Sequence, residues 1–253
     1  MSWTRAIHFK NWADMQNARH TLPLLVRRLI RAIVPRESQV LVPAMEQVQR
    51  PGLDGIVETN ASSQFVPEGK SSWEMGVSSD IKGKADDDFQ KRTEGTTVDI
   101  QRETTFVFVT PREWRNKDDW AKGKREASDW HDVRVLDAND LEHWIELCPA
   151  VDLWFATENG RRPTGVDDIE SHWQGLRAIS TNALSPAVFL TGRKALTDSL
   201  KQWLDNECSS VLLSSDNARD ALDYLAAFVS EDPEDAKLQR LIVVNDGEAW
   251  DVL

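Results

Sequence analysis

The sequence predicts an α/β protein built from two parts, and three observations support that prediction. Stretches with helical periodicity alternate with short β-branched or aromatic runs, the order expected for a mixed sheet covered by helices. The clearest strand is residues 104–110, whose composition predicts burial on both faces. A turn-rich segment, residues 158–165, is predicted to be the linker between the two parts.

The first part, residues 1–157, is predicted to run helix, three strands, helix, strand, helix, strand, helix. Its opening helix, residues 21–34, carries apolar side chains at helical spacing, with Thr21 as its N-cap. Pro111 ends the clearest strand. The remaining predicted elements are strands 39–42, 54–57, 73–77 and 133–136 and helices 83–93, 112–129 and 140–148.

The second part, residues 166–253, is predicted to be a small α/β domain with a parallel sheet. Strands and helices alternate along it: helix 166–179, strand 187–191, helix 194–205, strand 210–214, helix 217–229 and strand 241–244. We expect this domain to be the start of a longer C-terminal region, because the sequence ends directly after a strand.

The composition is that of an ordinary globular protein, with 40% hydrophobic and 28% charged residues. There is no apolar run long enough to span a membrane, and the first residues lack a signal-peptide core. The two cysteines, Cys148 and Cys208, lie far apart in apolar surroundings. These features predict a cytoplasmic protein with buried free thiols and no membrane partner.

The net charge of −12 argues against a generally basic nucleic-acid-binding protein. The charge is unevenly distributed, because residues 1–50 contain eight Lys or Arg against three Asp or Glu, a net +5. A basic front on an acidic body is consistent with one face presented to DNA, or with solvated helix surfaces that have no such role.

Two acids and a lysine form the candidate catalytic set. Asp54 opens one short strand, Glu74 lies in the next, and Lys84 is in the first turn of the helix that follows. Carboxylate oxygens are the ligands that Mg²⁺ prefers, and one or two commonly suffice because water and substrate phosphate complete the shell. A nearby lysine can position the attacking water or offset negative charge that develops on the phosphate.

The order strand–Asp, strand–Glu, Lys, helix resembles the PD-(D/E)xK nuclease superfamily. The strings GLDG, FVPEGKSSWEMG and KADDDFQKR resemble Mrr-like, restriction-endonuclease-type domains at the N-terminus of larger bacterial antiphage defence proteins. The likeness covers roughly residues 20–157. It implies a restriction-endonuclease-like core and a DNA endonuclease in which Asp54 and Glu74 bind Mg²⁺, or Mn²⁺ as a substitute, with the Met75 carbonyl as a further ligand.

One residue departs from the superfamily pattern. The superfamily has a lysine two residues after the glutamate, and this sequence has Gly76 there. In some members the lysine lies on the neighbouring helix, so the resemblance makes Lys84 the catalytic candidate, with Lys82 and Lys70 as alternatives. The competing interpretation is a degenerate nuclease fold that acts as a DNA-binding or oligomerisation module.

The expected partner is double-stranded DNA. Arg27, Arg28 and Arg31 fall outside the apolar stripe of the opening helix and, together with Lys70 and Lys82, are the predicted DNA contacts. Cutting both strands of a duplex takes two active sites or two events, which is consistent with a homo-oligomer. The relatives that the sequence resembles also imply an NTPase or sensor region after the second domain.

Overall fold

The computed structural model describes residues 2–43, 54–179, 184–205, 213–231 and 241–244. The chain divides into two compact units, Met1–Arg162 and Pro163–Leu253, so the division falls within the segment predicted as a linker. In the described ranges, no helix is both long enough and apolar enough to cross a membrane.

The first unit alternates helices and strands in the order that the sequence predicts, with three additional helices, α1, α4 and α7. Its elements are α1 (Ala6–Trp12), α2 (Ala18–Ile33), β1 (Gln39–Leu41), β2 (Gly55–Thr59), β3 (Gly69–Met75), α3 (Ile81–Gly95), α4 (Val98–Arg102), β4 (Thr104–Val109), α5 (Lys117–Glu126), β5 (Asp132–Leu136), α6 (Ala138–Glu146) and α7 (Pro149–Glu158).

The strands of this unit form one mixed sheet in the order β1-β2-β3-β4-β5. The first three strands are antiparallel neighbours, and β4 and β5 then add in parallel. The predicted α/β class with a mixed sheet between helices is therefore confirmed. Because β3 and β4 are parallel, their carboxyl ends lie at the same edge of the sheet.

Helices cover both faces of the sheet. One face carries Trp73 and Val107, which are buried with residues of α1, α2, α6 and α7. The other face carries Phe106 and Phe108, which pack with Ala85 and Phe89 of α3 and with residues of α5 and β5. All six residues of β4 are buried, as the sequence predicts, because this strand lies between the two layers.

Helix boundaries differ from the prediction where hydrogen bonds outside the periodic pattern extend or stop a helix. Helix α2 begins at Ala18 rather than at residue 21, because the carbonyl of Asn17 accepts from the amides of His20 and Thr21. Helix α5 begins at Lys117 rather than at residue 112. The amide of Trp114 donates to Asp137 Oδ2 at 3.0 Å, which holds the preceding segment outside the helix.

The second unit corrects several predictions. Its described elements are β6 (Val166–Asp168), α8 (Ile169–Ile179), α9 (Ala187–Leu190), α10 (Lys194–Asp205), α11 (Ala218–Ser230) and β7 (Ile242–Val244). The predicted parallel sheet is wrong for the strands described, because β6 and β7 pair antiparallel. The predicted helix 166–179 begins with the three residues of β6, and the predicted strand 210–214 lies largely outside the described residues.

The predicted strand 187–191 is also wrong, because residues Ala187–Leu190 form a helix. Pro186 has helical backbone angles, φ −52° and ψ −31°, which start a turn rather than an extended strand. The hydroxyl of Ser185 accepts from the amide of Ala187 at 3.3 Å and supports the same turn. A short apolar run does not by itself distinguish a strand from a buried helical turn.

Candidate functional site

The two acids predicted as metal ligands are brought together by the β2–β3 hairpin. Gly55 of β2 lies opposite Trp73 of β3, so the same register continued by one residue places Asp54 opposite Glu74. Residues directly opposite in an antiparallel pair have their side chains on the same face. The carboxylate of Asp54 also accepts from the amide of Met75 at 3.0 Å, which fixes one of its oxygens at the end of β3.

Glu74 is buried, with only 3% of its surface exposed. Its Oε1 accepts a hydrogen bond from Nε of Arg92, which is in the last turn of α3. Burial raises the pKa of Glu74 to about 7, and the negative charge of Asp54 adds to the rise, while Arg92 opposes it. A fraction of this carboxyl is therefore protonated near neutral pH, and a bound cation would favour its ionised form.

The position two residues after Glu74 has no side chain, and Lys84 fills the space. A Cβ placed on Gly76 would lie 2.8 Å from Cγ of Lys84 and 3.1 Å from Cζ of Phe108. Such distances are shorter than van der Waals contact, so any side chain at position 76 would displace the lysine. The stem of Lys84 thus crosses the end of β3 at the position where the PD-(D/E)xK pattern has its own lysine.

A cleft of about 460 Å³ opens at this edge of the sheet. It is lined by Asp54, Gly76 and Lys84, by Arg19, Leu22 and Pro23 of α2, and by Met75, Val77 and Ser78. The cleft is at the carboxyl ends of β3 and β4, where open α/β sheets commonly bind ligands.

Helix α3 contributes three charged side chains spaced four residues apart: Lys84, Asp88 and Arg92. This spacing places them along one side of the helix. Nζ of Lys84 donates to Oδ1 of Asp88 at 2.6 Å. Burial raises the pKa of Asp88, although Lys84 acts in the opposite direction.

The three predicted arginine contacts are partly buried on α2. The guanidinium of Arg28 lies 4.5 Å from the ring centroid of Trp154, and Arg31 donates to the carbonyl of Ser38 at 3.4 Å. These two side chains already make contacts within the first unit, whereas Arg19, which the sequence analysis did not select, lines the cleft.

The two remaining predicted DNA contacts lie away from the cleft lining. Lys70 is near the start of β3, four residues from Glu74, which corresponds to about 13 Å along the strand. Lys82 is two residues from Lys84, about 200° around the helix, and it pairs with Asp86 at 2.7 Å. Of the three lysine candidates, Lys84 is therefore the one that lines the cleft beside Asp54.

Asp54 lines the cleft, whereas Glu74 is buried opposite it on β3, so the carboxylates match a hard divalent cation in type but are few. In the part of the chain that the structure describes, no group of three or more His, Cys, Asp or Glu residues is placed to hold a metal ion. Mg²⁺ keeps several waters and is commonly held by one or two carboxylates plus substrate phosphate, so the Asp54–Glu74 pair fits that mode of binding.

The sequence interpretation allowed a pair between Lys84 and Asp88 at i, i+4, but it assigned no role to Arg92, although Arg92 is on the same helix. The signal was the i, i+4, i+8 spacing of charged residues in a helix whose other side packs into the core. Comparisons with protein-family models, with curated proteins and with solved structures gave no match.

Proposed function

We propose that the first unit is a Mg²⁺-dependent DNA endonuclease that hydrolyses phosphodiester bonds, with Mn²⁺ as a substitute cation. The observation that carries the proposal is the position of Lys84, whose stem occupies the space over Gly76 beside Asp54. The order of helix, antiparallel three-stranded meander, helix and parallel strand supports it, because that order is the one the PD-(D/E)xK resemblance implies.

Asp54 and Glu74 would hold the cation. Each carboxylate has one oxygen fixed by the protein, through the Met75 amide and Arg92 respectively, and its second oxygen is the atom that we assign to the metal. The carbonyl of Met75 would add a third ligand. A cation bound there would supply Lewis acidity toward the phosphate and lower the pKa of a coordinated water.

Lys84 would act on the attacking water. Its ammonium group can donate to a water or to a non-bridging phosphate oxygen, which orients the nucleophile and offsets negative charge in the transition state. Arg19, which also lines the cleft, would contact the DNA backbone. Activity within an antiphage defence protein is the expectation that follows from the resemblance.

Cleavage of supercoiled plasmid with Mg²⁺ or Mn²⁺ tests this function. We expect the wild type to nick the plasmid, and Asp54→Asn and Glu74→Gln to lower the rate by about 1000-fold, because metal stabilisation of the transition state is worth several kcal/mol. Glu58→Gln is the matched control, since Glu58 is an exposed glutamate of β2. Wild-type rates in both acid variants would contradict the proposal.

A second candidate function is a degenerate nuclease fold that binds DNA without cutting it. Two observations favour it: Arg92 already pairs with the predicted metal ligand Glu74, and position 76 lacks the usual lysine. Calorimetric titration with Mg²⁺ and Mn²⁺ separates the two functions. Metal binding that is lost in Asp54→Asn supports the enzyme, whereas DNA binding without metal binding supports the degenerate module.

A further inference from the structure

The aliphatic chain of Lys84 does not by itself fix the position of the ammonium group. A lysine side chain has four rotatable carbons and about 2 kcal/mol of rotamer entropy to lose when it is fixed. The gap above Gly76 gives the stem room, but it does not determine where the ammonium group lies. The contact that fixes the ammonium is the 2.6 Å hydrogen bond from Nζ to Asp88 Oδ1.

Asp88 is an unusual anchor because it is buried. Only 5% of its surface is exposed, so the pair differs from the solvated i, i+4 pairs common on helix surfaces. Its second oxygen, Oδ2, is buried and has no hydrogen-bond partner among the described residues. A buried carboxylate oxygen without a partner destabilises the folded state.

The fold gives no structural reason for a carboxylate at this position. Its neighbours on α3, Ala85 and Phe89, pack into the apolar layer under the helix. Replacement of a buried ion pair by apolar residues of similar volume is often neutral or stabilising. A residue that lowers stability and also fixes a side chain in the cleft is the pattern expected of a functional site.

We propose that Asp88 is a positioning residue, which holds the Lys84 ammonium beside Asp54 so that it faces the attacking water. This inference rests on the proposed endonuclease function and adds to it a residue that touches neither the cation nor the DNA. Asp88 acts through Lys84 alone.

The test compares Asp88→Asn with Asp87→Asn, because Asp87 is the exposed neighbour on the same helix. We expect Asp88→Asn to lower kcat of plasmid cleavage roughly 10- to 100-fold, the usual range for residues that orient a catalytic group. KM for DNA and the melting temperature should stay at wild-type values or, for the melting temperature, rise. A fall in kcat that is accompanied by a lower melting temperature would show a structural role and overturn the proposal.

A double-mutant cycle removes the dependence on one variant. If Asp88 acts through Lys84, adding Asp88→Asn to Lys84→Ala lowers kcat no further. An additional tenfold loss in the double variant would overturn the proposal, as would a wild-type kcat in Asp88→Asn.

A readout without activity completes the test. The ¹H–¹⁵N signal of a lysine ammonium is observed when a hydrogen bond slows its exchange with water, so we expect a Lys84 signal in the metal-free wild type and in Asp87→Asn. The signal should broaden beyond detection in Asp88→Asn, and its persistence there would overturn the proposal. Failure of the wild type to cut would instead overturn the endonuclease function, a different result from cutting that is unaffected by Asp88→Asn.

Discussion

Two sides of helix α3 carry aspartates that are two residues apart in sequence and opposite in character. On the outer side, Asp86 accepts hydrogen bonds from Lys82, Lys124 and the indole of Trp120. Burial works against its ionisation, but these three donors hold the pKa of Asp86 well below its usual range. The outer cluster joins α3 to α5 with every acceptor oxygen in use.

On the inner side, Asp88 has one donor, Lys84, and one oxygen without a partner. Burial raises its pKa, and the negative charge of Asp54 adds to the rise. The same helix therefore carries one acid that is fully satisfied and one that is not. The contrast shows that charge alone does not distinguish the two acids of α3, because the one that pairs with the cleft-lining Lys84 is the one whose hydrogen bonding is incomplete.

The largest expected effect comes from moving the lysine between the helix and the strand. Lys84→Ala should lower the cleavage rate by about 100-fold or more, the usual contribution of a positioned proton-transfer group. Gly76→Lys in the Lys84→Ala background should restore part of the rate, because removal of Lys84 eliminates the tighter of the two contacts that a side chain at position 76 would meet and leaves the one with Phe108. Plasmid cleavage kinetics measure both changes.

The outer lysine provides the control for that experiment. Lys82→Ala removes a cation from the same helix without reaching the cleft, so its rate should stay near that of the wild type. Equal losses of cleavage rate in Lys82→Ala and Lys84→Ala would contradict the distinction between the outer and inner sides of α3. If the variant that combines Gly76→Lys with Lys84→Ala folds but does not cut, a lysine at position 76 cannot replace Lys84.

The two sides should also respond to pH with opposite signs. The pKa of Glu74, which shares the inner side, rises from 4.5 to about 7 on folding, so its stabilising contribution is full below about pH 4.5 and is lost as pH rises through 7. The loss is about 3 kcal/mol, at 1.36 kcal/mol for each pKa unit. The pKa of Asp86 falls on folding, so its contribution is present above its usual pKa and is lost in acid.

Urea unfolding of the wild type, Glu74→Gln and Asp86→Asn between about pH 3 and 8 measures both slopes. The free energy of unfolding of the wild type relative to Glu74→Gln should decline from pH 4.5 to 7. Relative to Asp86→Asn it should decline only on acidification. Slopes of the same sign would contradict the assigned environments.

The smallest effect is expected from the outer cluster at constant pH. Asp86→Asn weakens hydrogen bonds to two cations and an indole, and should lower the free energy of unfolding by about 1–2 kcal/mol. The plasmid cleavage rate should not change, because Asp86 faces α5 and not the cleft. Thermal unfolding and cleavage kinetics on the same preparation check both statements.

Local sequence patterns predicted the parts of the fold and candidate site that depend on nearby residues. The continuous apolar run of β4 indicated a strand buried on both faces, and the Asp54 and Glu74 strands formed the hairpin that brings the acids opposite each other. Each of these features follows from residue periodicity or from the pairing of two strands that are neighbours in sequence.

Features set by distant contacts could not be predicted in the same way. The pairing of Glu74 with Arg92 joins residues 18 apart, and the contact of Arg28 with Trp154 depends on the packing of α7 against α2. In the second unit, residues 187–190 have a composition suited to either a strand or a turn of helix. The backbone angles at Pro186 favoured the helix.

Because Gly76 has no side chain, the residues of the candidate site are divided between the sheet and helix α3. Asp54 and Glu74 are attached to the sheet, whereas Lys84 is attached to α3. The distance between the two acids and the lysine therefore depends on how the helix packs on the strands. A lysine on β3 would travel with Glu74 and would be insensitive to that packing. A shift of α3 along its apolar layer would therefore change the separation of Lys84 from Asp54 directly.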